Sequence, residues 1–195
     1  MEKQEIKDNK DKLLLAAIDL MADKGYKGVS TKEIAAAAGV SEMTLFRQFG
    51  SKQHLLEKAV DRYYYTVEMT KIFETQVVWE LRTDLMLISR MYHESMNRNR
   101  KMIRIVLKED ELSEIRTKAQ KHPRMLLELL TKYFLEMQKR GNLIPTDAEA
   151  QAMSFLWMNY GAFMSHLHGA EGMTNVTMER FIASSIELFT RGLTP

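Results

Sequence analysis

The sequence predicts an all-α protein, with an N-terminal three-helix domain of helix-turn-helix type joined by a long helix to a larger helical domain. Three observations carry that prediction. Two helix starts and two glycine stops are crowded between Ser30 and Lys52. Apolar residues elsewhere recur at i, i+3 and i+4, interrupted by Gly and Pro. Nowhere does the chain alternate apolar and polar residues as a half-buried strand would.

The elements follow in order. Residues 1–9 read as a frayed polar arm, whose Lys3 and Lys7, with Lys10 and Lys12 beyond, can reach a nucleic-acid backbone or simply be solvated. A first helix is expected from Asp8 to Lys24, with Leu14, Ala17, Ile18 and Met21 as its apolar stripe and Gly25 as its stop. Ser30 and Glu33 form an S-x-x-E capping box, which opens an alanine-rich second helix that Gly39 ends. Ser41 is a good N-cap for a third helix, Glu42–Phe49, with Leu45 and Phe49 sharing one face. Such a helix–turn–helix can present its second helix to the major groove of DNA, which is wide enough to admit one.

Ser51 caps a fourth helix that carries Leu55, Leu56, Ala59, Val60, Tyr63, Tyr64 and Val67 and meets no punctuation before Ile72. A domain boundary is placed within it, giving domains 1–62 and 63–195. Further helices are expected over Val77–Ser95, Lys101–Lys108 with a continuation over Leu112–Lys121, and Arg124–Lys139. Asp147 or Thr146 caps the next, to Leu167; Gly169 and Gly172 interrupt the chain, and Asn175 or Thr177 opens the last, to Arg191. The helix from Ala148 is apolar nearly all round and must be covered on both sides. Phe181, Ile182, Ser185, Ile186 and Phe189 on the final helix offer a matching face, so these two helices are expected to pair with their copies in a second subunit; central helices of one subunit's core would look the same.

The segment I-A-x-x-A-G-V-S-x-x-T-L-F-x-x-F-x-S-K-x-x-L-L, within about Lys10 to Leu56, resembles the DNA-binding signature of the TetR family of bacterial transcriptional regulators. That resemblance implies a homodimer of all-helical subunits, each with an N-terminal DNA-binding domain and a larger, usually ligand-binding, regulatory domain. It also implies a palindromic operator and, by family habit, repression. Position by position, Thr44 and Lys52 stand where phosphate contacts are usual. Thr31 begins the helix that crosses the backbone, and Glu42, Met43, Arg47 and Gln48 stand where side chains reach base edges. Arg47 can pair with guanine and Gln48 with adenine, each worth about 1–3 kcal/mol of discrimination. Met43 replaces a common glycine and can meet a thymine methyl. Phe46 replaces the usual tyrosine and lacks the hydroxyl that would bond a phosphate.

Composition bounds the alternatives. The chain has 195 residues, 28 Lys and Arg against 26 Asp and Glu, and no cysteine. Disulfides, thiolate metal sites and cysteine nucleophiles are therefore excluded. Residues 1–62 carry 11 basic against 10 acidic side chains, so DNA affinity must come from local placement and from two subunits together. No apolar run is long enough to span a membrane and the N-terminus offers no signal-peptide core, so a cytoplasmic location is expected.

His166-x-His168 and His93-Glu94 do not share a helix face within each pair and lack a third partner, so no metal is expected. Without a phosphate-binding loop, a dinucleotide-binding glycine pattern or a nucleophile elbow, the chain is not read as an enzyme, and no cofactor is expected. Twelve of the 15 methionines and both tryptophans follow residue 62. Met is adaptable, and a pocket drawn from Trp79, Met86, Met91, Tyr92, Met125, Met153 and Trp157 would suit a hydrophobic small-molecule effector. Helical spacing does not separate such a pocket from ordinary core. A fully packed interior would instead fit a constitutive DNA-binding or protein-interaction module.

Overall fold

The computed structural model describes residues 8–63, 66–169 and 174–195. The polar arm with Lys3 and Lys7, the continuity of the fourth helix through 64–65 and the break at Gly172 lie outside the described residues. Among those described there are eleven α-helices and no strand. They run α1 Asn9–Lys24, α2 Thr31–Ala37, α3 Glu42–Phe49, α4 Lys52–Tyr63, α5 Thr66–Thr75, α6 Leu81–Arg98, α7 Arg100–Lys108, α8 Ser113–Ala119, α9 Lys121–Lys139, α10 Ala148–Leu167 and α11 Met178–Leu193. A single 3-10 turn, Asp110–Leu112, precedes α8.

Two compact units result, and each spans the chain discontinuously. The first holds the residues up to Tyr63 together with Asn99–Ala119; the second holds Tyr64–Arg98 and Gln120–Pro195. Within the first, α1 packs on α2, α4 and α7, and α8 packs on α4. Leu13, Ala17, Met21, Ile34, Leu45, Leu55 and Leu56 form its buried centre. Residues 99–119 are fastened there by ion pairs: Lys101 to Asp19 at 2.8 Å, Lys27 to Glu111 at 2.9 Å and Lys118 to Glu57 at 3.0 Å. Arg116 closes the bend after α7 by donating to the carbonyls of Val106 and Glu109.

The second unit consists of α5, α6, α9, α10 and α11 around Leu85, Ile88, Leu130, Phe134, Phe155, Phe163 and Ile186. Three details correct the sequence reading. The helix expected from Val77 begins at Leu81, because Glu80 turns its carboxylate onto the N–H groups of Arg82 and Thr83. That leaves 76–80 as a connector, in which Trp79 has φ +64°. The stretch after Lys108 is a 3-10 turn and a short helix in place of one continuing helix.

The third correction concerns the outward face of the last two helices. Ile182 and Ile186 are buried in their own unit, and Phe189 meets Phe155 edge-on with centroids 5.7 Å apart. The side chains left outside are Phe181 and Leu188 on α11 and Trp157 and Tyr160 on α10.

Candidate nucleic-acid interface

The local sequence builds α2 and α3 with few alternatives. Both halves of the capping box form: Glu33 N–H donates to Ser30 Oγ at 3.2 Å, and Ser30 N–H donates to Glu33 Oε2 at 2.9 Å. Gly39, at φ +69°, makes the turn that a side-chained residue would resist. Ser41 Oγ then accepts from Thr44 N–H at 3.2 Å and opens α3. Leu45 and Phe49 are buried and anchor one side of α3 against its neighbours.

The opposite side of α3 is left open. Met43 is 80% exposed and Phe46 47% exposed, and Arg47 is exposed on the same side of the helix. Two large apolar side chains on a helix of eight residues have no folding role there, since their burial is what would stabilise the fold. Arg47, with its planar fork of donors, is the one cation on α3.

Other expected site residues are engaged within the protein. Thr31 Oγ1 donates to Glu42 Oε1 at 2.6 Å, which ties the start of α2 to the start of α3. The hydroxyls of Thr44 and Ser41 lie 2.9 Å apart. Gln48 is half-buried, its side-chain carbonyl oxygen turned inward with no hydrogen-bond partner, so presenting both amide atoms to a base requires another rotamer. Lys52 is also half-buried. Its ammonium donates to the carbonyls of Tyr26 at 2.7 Å and Val29 at 2.8 Å and lies 4.3 Å from the centroid of the Tyr26 ring. Burial pushes its pKa down, opposed by the charge of Glu111. Two of its three donors thus lock the α1–α2 connector, and one is left for a phosphate. Nothing local in the sequence marks Tyr26 as a ring that will lie beneath a cation 26 positions away.

The expected effector residues do not converge on one pocket. Trp79 lies beside a groove of about 390 Å³ with Phe73, Val77, Leu129 and Tyr133. Tyr92 instead borders an interior void, with Ile88, Leu126, Phe155, Leu156 and Asn159, that is too tight for a water-sized sphere. Met86, Met91 and Met153 are half-buried, and Met125 is exposed on α9, its sulfur near the Thr70 hydroxyl. Trp157 is 66% exposed on the outward face of α10 and lines neither space.

Ser89, His93 and the void-lining Asn159 are buried; Ser89 Oγ, both His93 ring nitrogens and Asn159 Oδ1 have no hydrogen bond of proper geometry, while Asn159 Nδ2 donates to the Phe155 carbonyl at 2.9 Å. Burial lowers the His93 pKa, which nearby Asn159 opposes. A further hollow of about 600 Å³, lined by Gly161, Ala162, Ser165, Val176, Met178 and Phe181 among others, opens between α10 and α11. Among the described residues there is no group of three or more metal-ligating side chains, and no helix is long and apolar enough to cross a membrane.

Residues 13–59 match the model of bacterial regulatory proteins of the tetR family. Along 184 residues the chain is 30% identical to YvkB, an uncharacterised HTH-type transcriptional regulator of Bacillus subtilis, covering 93% of this chain and 95% of that one. Among solved structures it resembles NalD of Pseudomonas aeruginosa, the secondary repressor of the MexAB-OprM multidrug efflux pump, with a TM-score of 0.72, 22% identity and 95% of each chain covered. It also resembles AibR, solved with isovaleryl coenzyme A and operator DNA, with a TM-score of 0.63, 21% identity, and 93% of this chain and 97% of that one covered. The structural likenesses carry the all-helical fold. The signature and a relationship running nearly the length of both chains carry the rest: the chain belongs to the tetR family of bacterial regulatory proteins, DNA-binding transcriptional regulators and not enzymes.

Proposed function

We propose that this protein is a cytoplasmic, homodimeric repressor that binds a palindromic operator and is released by a hydrophobic small molecule. The observation that carries the DNA half is the open side of α3, where Met43, Phe46 and Arg47 stand exposed on a helix fixed by caps at its start and by buried Leu45 and Phe49 on its other side. In this reading Arg47 reads a guanine and Met43 meets a thymine methyl. Thr44 and the remaining Lys52 donor contact phosphates, beside Thr31 at the start of α2. Glu42 acts chiefly by holding Thr31, and Gln48 reads a base only after rotating outward. Phe46 contributes apolar contact without a hydroxyl.

Dimerisation is assigned to α10 and α11, whose outward Trp157, Tyr160, Phe181 and Leu188 make an apolar face suited to a second copy. A two-fold dimer would bring two reading helices to successive half-sites. The effector is assigned to the second unit, where Ser89, His93 and Asn159 provide buried polar groups for a ligand to satisfy. Its occupancy would reach the first unit along the chain segment of α4 and α5 that joins them. A coupling of about 1–3 kcal/mol, roughly 5- to 150-fold in operator affinity, is enough for a switch. The tightness of the interior void favours one competing reading, a constitutive DNA-binding module without an effector.

A mobility-shift titration on the protein's own upstream DNA, at fixed salt, with and without a panel of hydrophobic compounds, separates the two. Specific binding released by one compound supports the repressor; specific binding that none releases supports the constitutive module. Arg47→Ala should remove about 1–3 kcal/mol of discrimination at one base pair per half-site. Unchanged specificity in that variant would refute the role given to Arg47.

A further inference from the structure

We propose that the groove beside Trp79 is a binding site for an aliphatic monocarboxylate, its chain against Phe73, Val77 and Leu129 and its carboxylate at Lys132. At about 390 Å³ the groove has the volume of a small-molecule site. One wall is built with unusual care. Trp79 is held in a left-handed conformation, φ +64°, where a bulky residue is a genuine outlier. Strain of this kind persists only when the surroundings over-determine it, and it clusters at ligand clamps.

Here several contacts impose it. The Trp79 ring stacks on Tyr133 with centroids 5.6 Å apart and planes 16° from parallel, while the Arg140 guanidinium lies 4.0 Å from its centroid. Asn142 Nδ2 donates to the Trp79 carbonyl at 3.1 Å. Behind these, buried Asp84 accepts from Val78 N–H at 2.9 Å and from the Tyr133 hydroxyl at 2.8 Å, fixing both the connector and the stacking ring. Burial pushes the Tyr133 phenol well above its ordinary pKa, with the Asp84 charge adding to the shift, so that proton stays in place.

Charge selects the ligand class. Glu136, the one acid lining the groove, already faces Arg140 at 3.0 Å and Lys139 at 3.8 Å. Lys132 has no ion-pair partner among the described residues. An ammonium without an ion-pair partner, set beside an apolar wall, matches a carboxylate at the end of a hydrocarbon tail. The site is independent of the repressor reading, since a ligand can occupy it whether or not it moves the DNA-binding unit.

Calorimetric titration of the full-length protein with octanoate, and with octan-1-ol as the uncharged control, tests the proposal. Saturable octanoate binding is expected, about fivefold tighter than octanol, together with a change in tryptophan emission. Lys132→Gln should bring octanoate to the affinity of octanol, and exposed Lys132 can be replaced without touching the core. Trp79→Phe should abolish the emission change, leaving Trp157 as a silent reporter. Failure of octanoate to saturate, equal affinity for acid and alcohol, an undiminished octanoate affinity in Lys132→Gln, or an emission change that survives Trp79→Phe would each overturn the assignment. Octanoate that binds as expected but leaves operator binding untouched supports the site and removes this ligand from consideration as the effector.

Discussion

The two units differ in how far their buried polar groups are paired: the first leaves Gln48 Oε1 without a partner, the second a cluster of such atoms. In the first, ionisable side chains such as Lys24, Glu33, Lys52, Arg62 and Arg116 find partners within the unit, and helix starts are capped by Asp8, Ser30 and Ser41. In the second, Ser89 Oγ, both His93 ring nitrogens and Asn159 Oδ1 are buried without well-formed hydrogen bonds, and the backbone at Trp79 is strained. A buried polar group without a partner costs about 1–3 kcal/mol. The contrast is that of a fixed geometry, which a reader of DNA needs, with an interior whose energy improves when something binds or moves.

The largest test of that contrast is Leu45→Ala. Leu45 is fully buried and connects α3 to the rest of the first unit, so its truncation should cost about 2–5 kcal/mol in denaturant unfolding. A cost under about 1 kcal/mol would mean that α3 is not rigidly held. Asn159→Leu should act in the reverse direction. It removes an unpartnered oxygen and fills the adjoining void, and a gain of about 1 kcal/mol is expected from the same measurement. A large loss would show that the polar group is satisfied in solution.

The smallest effect is electrostatic and lies in the first unit. The Lys24 ammonium, and after it the Ser30 N–H, hold the Glu33 carboxyl at about 2 against an ordinary 4.5. Because the folded value lies below the unfolded one, this stabilisation is complete above pH 4.5 and is lost as the pH falls through about 2. The unfolding midpoint of Glu33→Gln should therefore trail the parent at pH 7 and converge on it over that acid interval. A gap that stays constant down to pH 2 would assign the effect to the capping geometry alone.

These differences also explain what could be read from the chain. Caps and glycine turns act over three or four residues, so Ser30, Glu33, Gly39 and Ser41 announced α2 and α3 correctly, and the family signature lies in the same stretch. Trp79 announced the opposite of what it does: an apolar residue in helical register suggested helix, whereas the left-handed turn there is imposed by Tyr133, Arg140, Asn142 and Asp84, up to 63 positions away. Lys52 was legible as a cation near the reading helix but not as the clamp on Tyr26 and Val29. A helix apolar all round, such as α10, hides which side faces out: Trp157, expected in a pocket, is exposed.

The return of residues 99–119 to the first unit also bears on biosynthesis. A ribosome making this chain releases α1–α4 early, yet α7 and α8, which cover α1 and α4, emerge only after α5 and α6. The first unit is thus unfinished until residue 119 has left the exit tunnel, and the two units must mature interleaved, not one after the other. For the same reason, a chimera joined to another regulator at residue 62 would leave the donor's α1 and α4 to be covered by a stranger's α7 and α8.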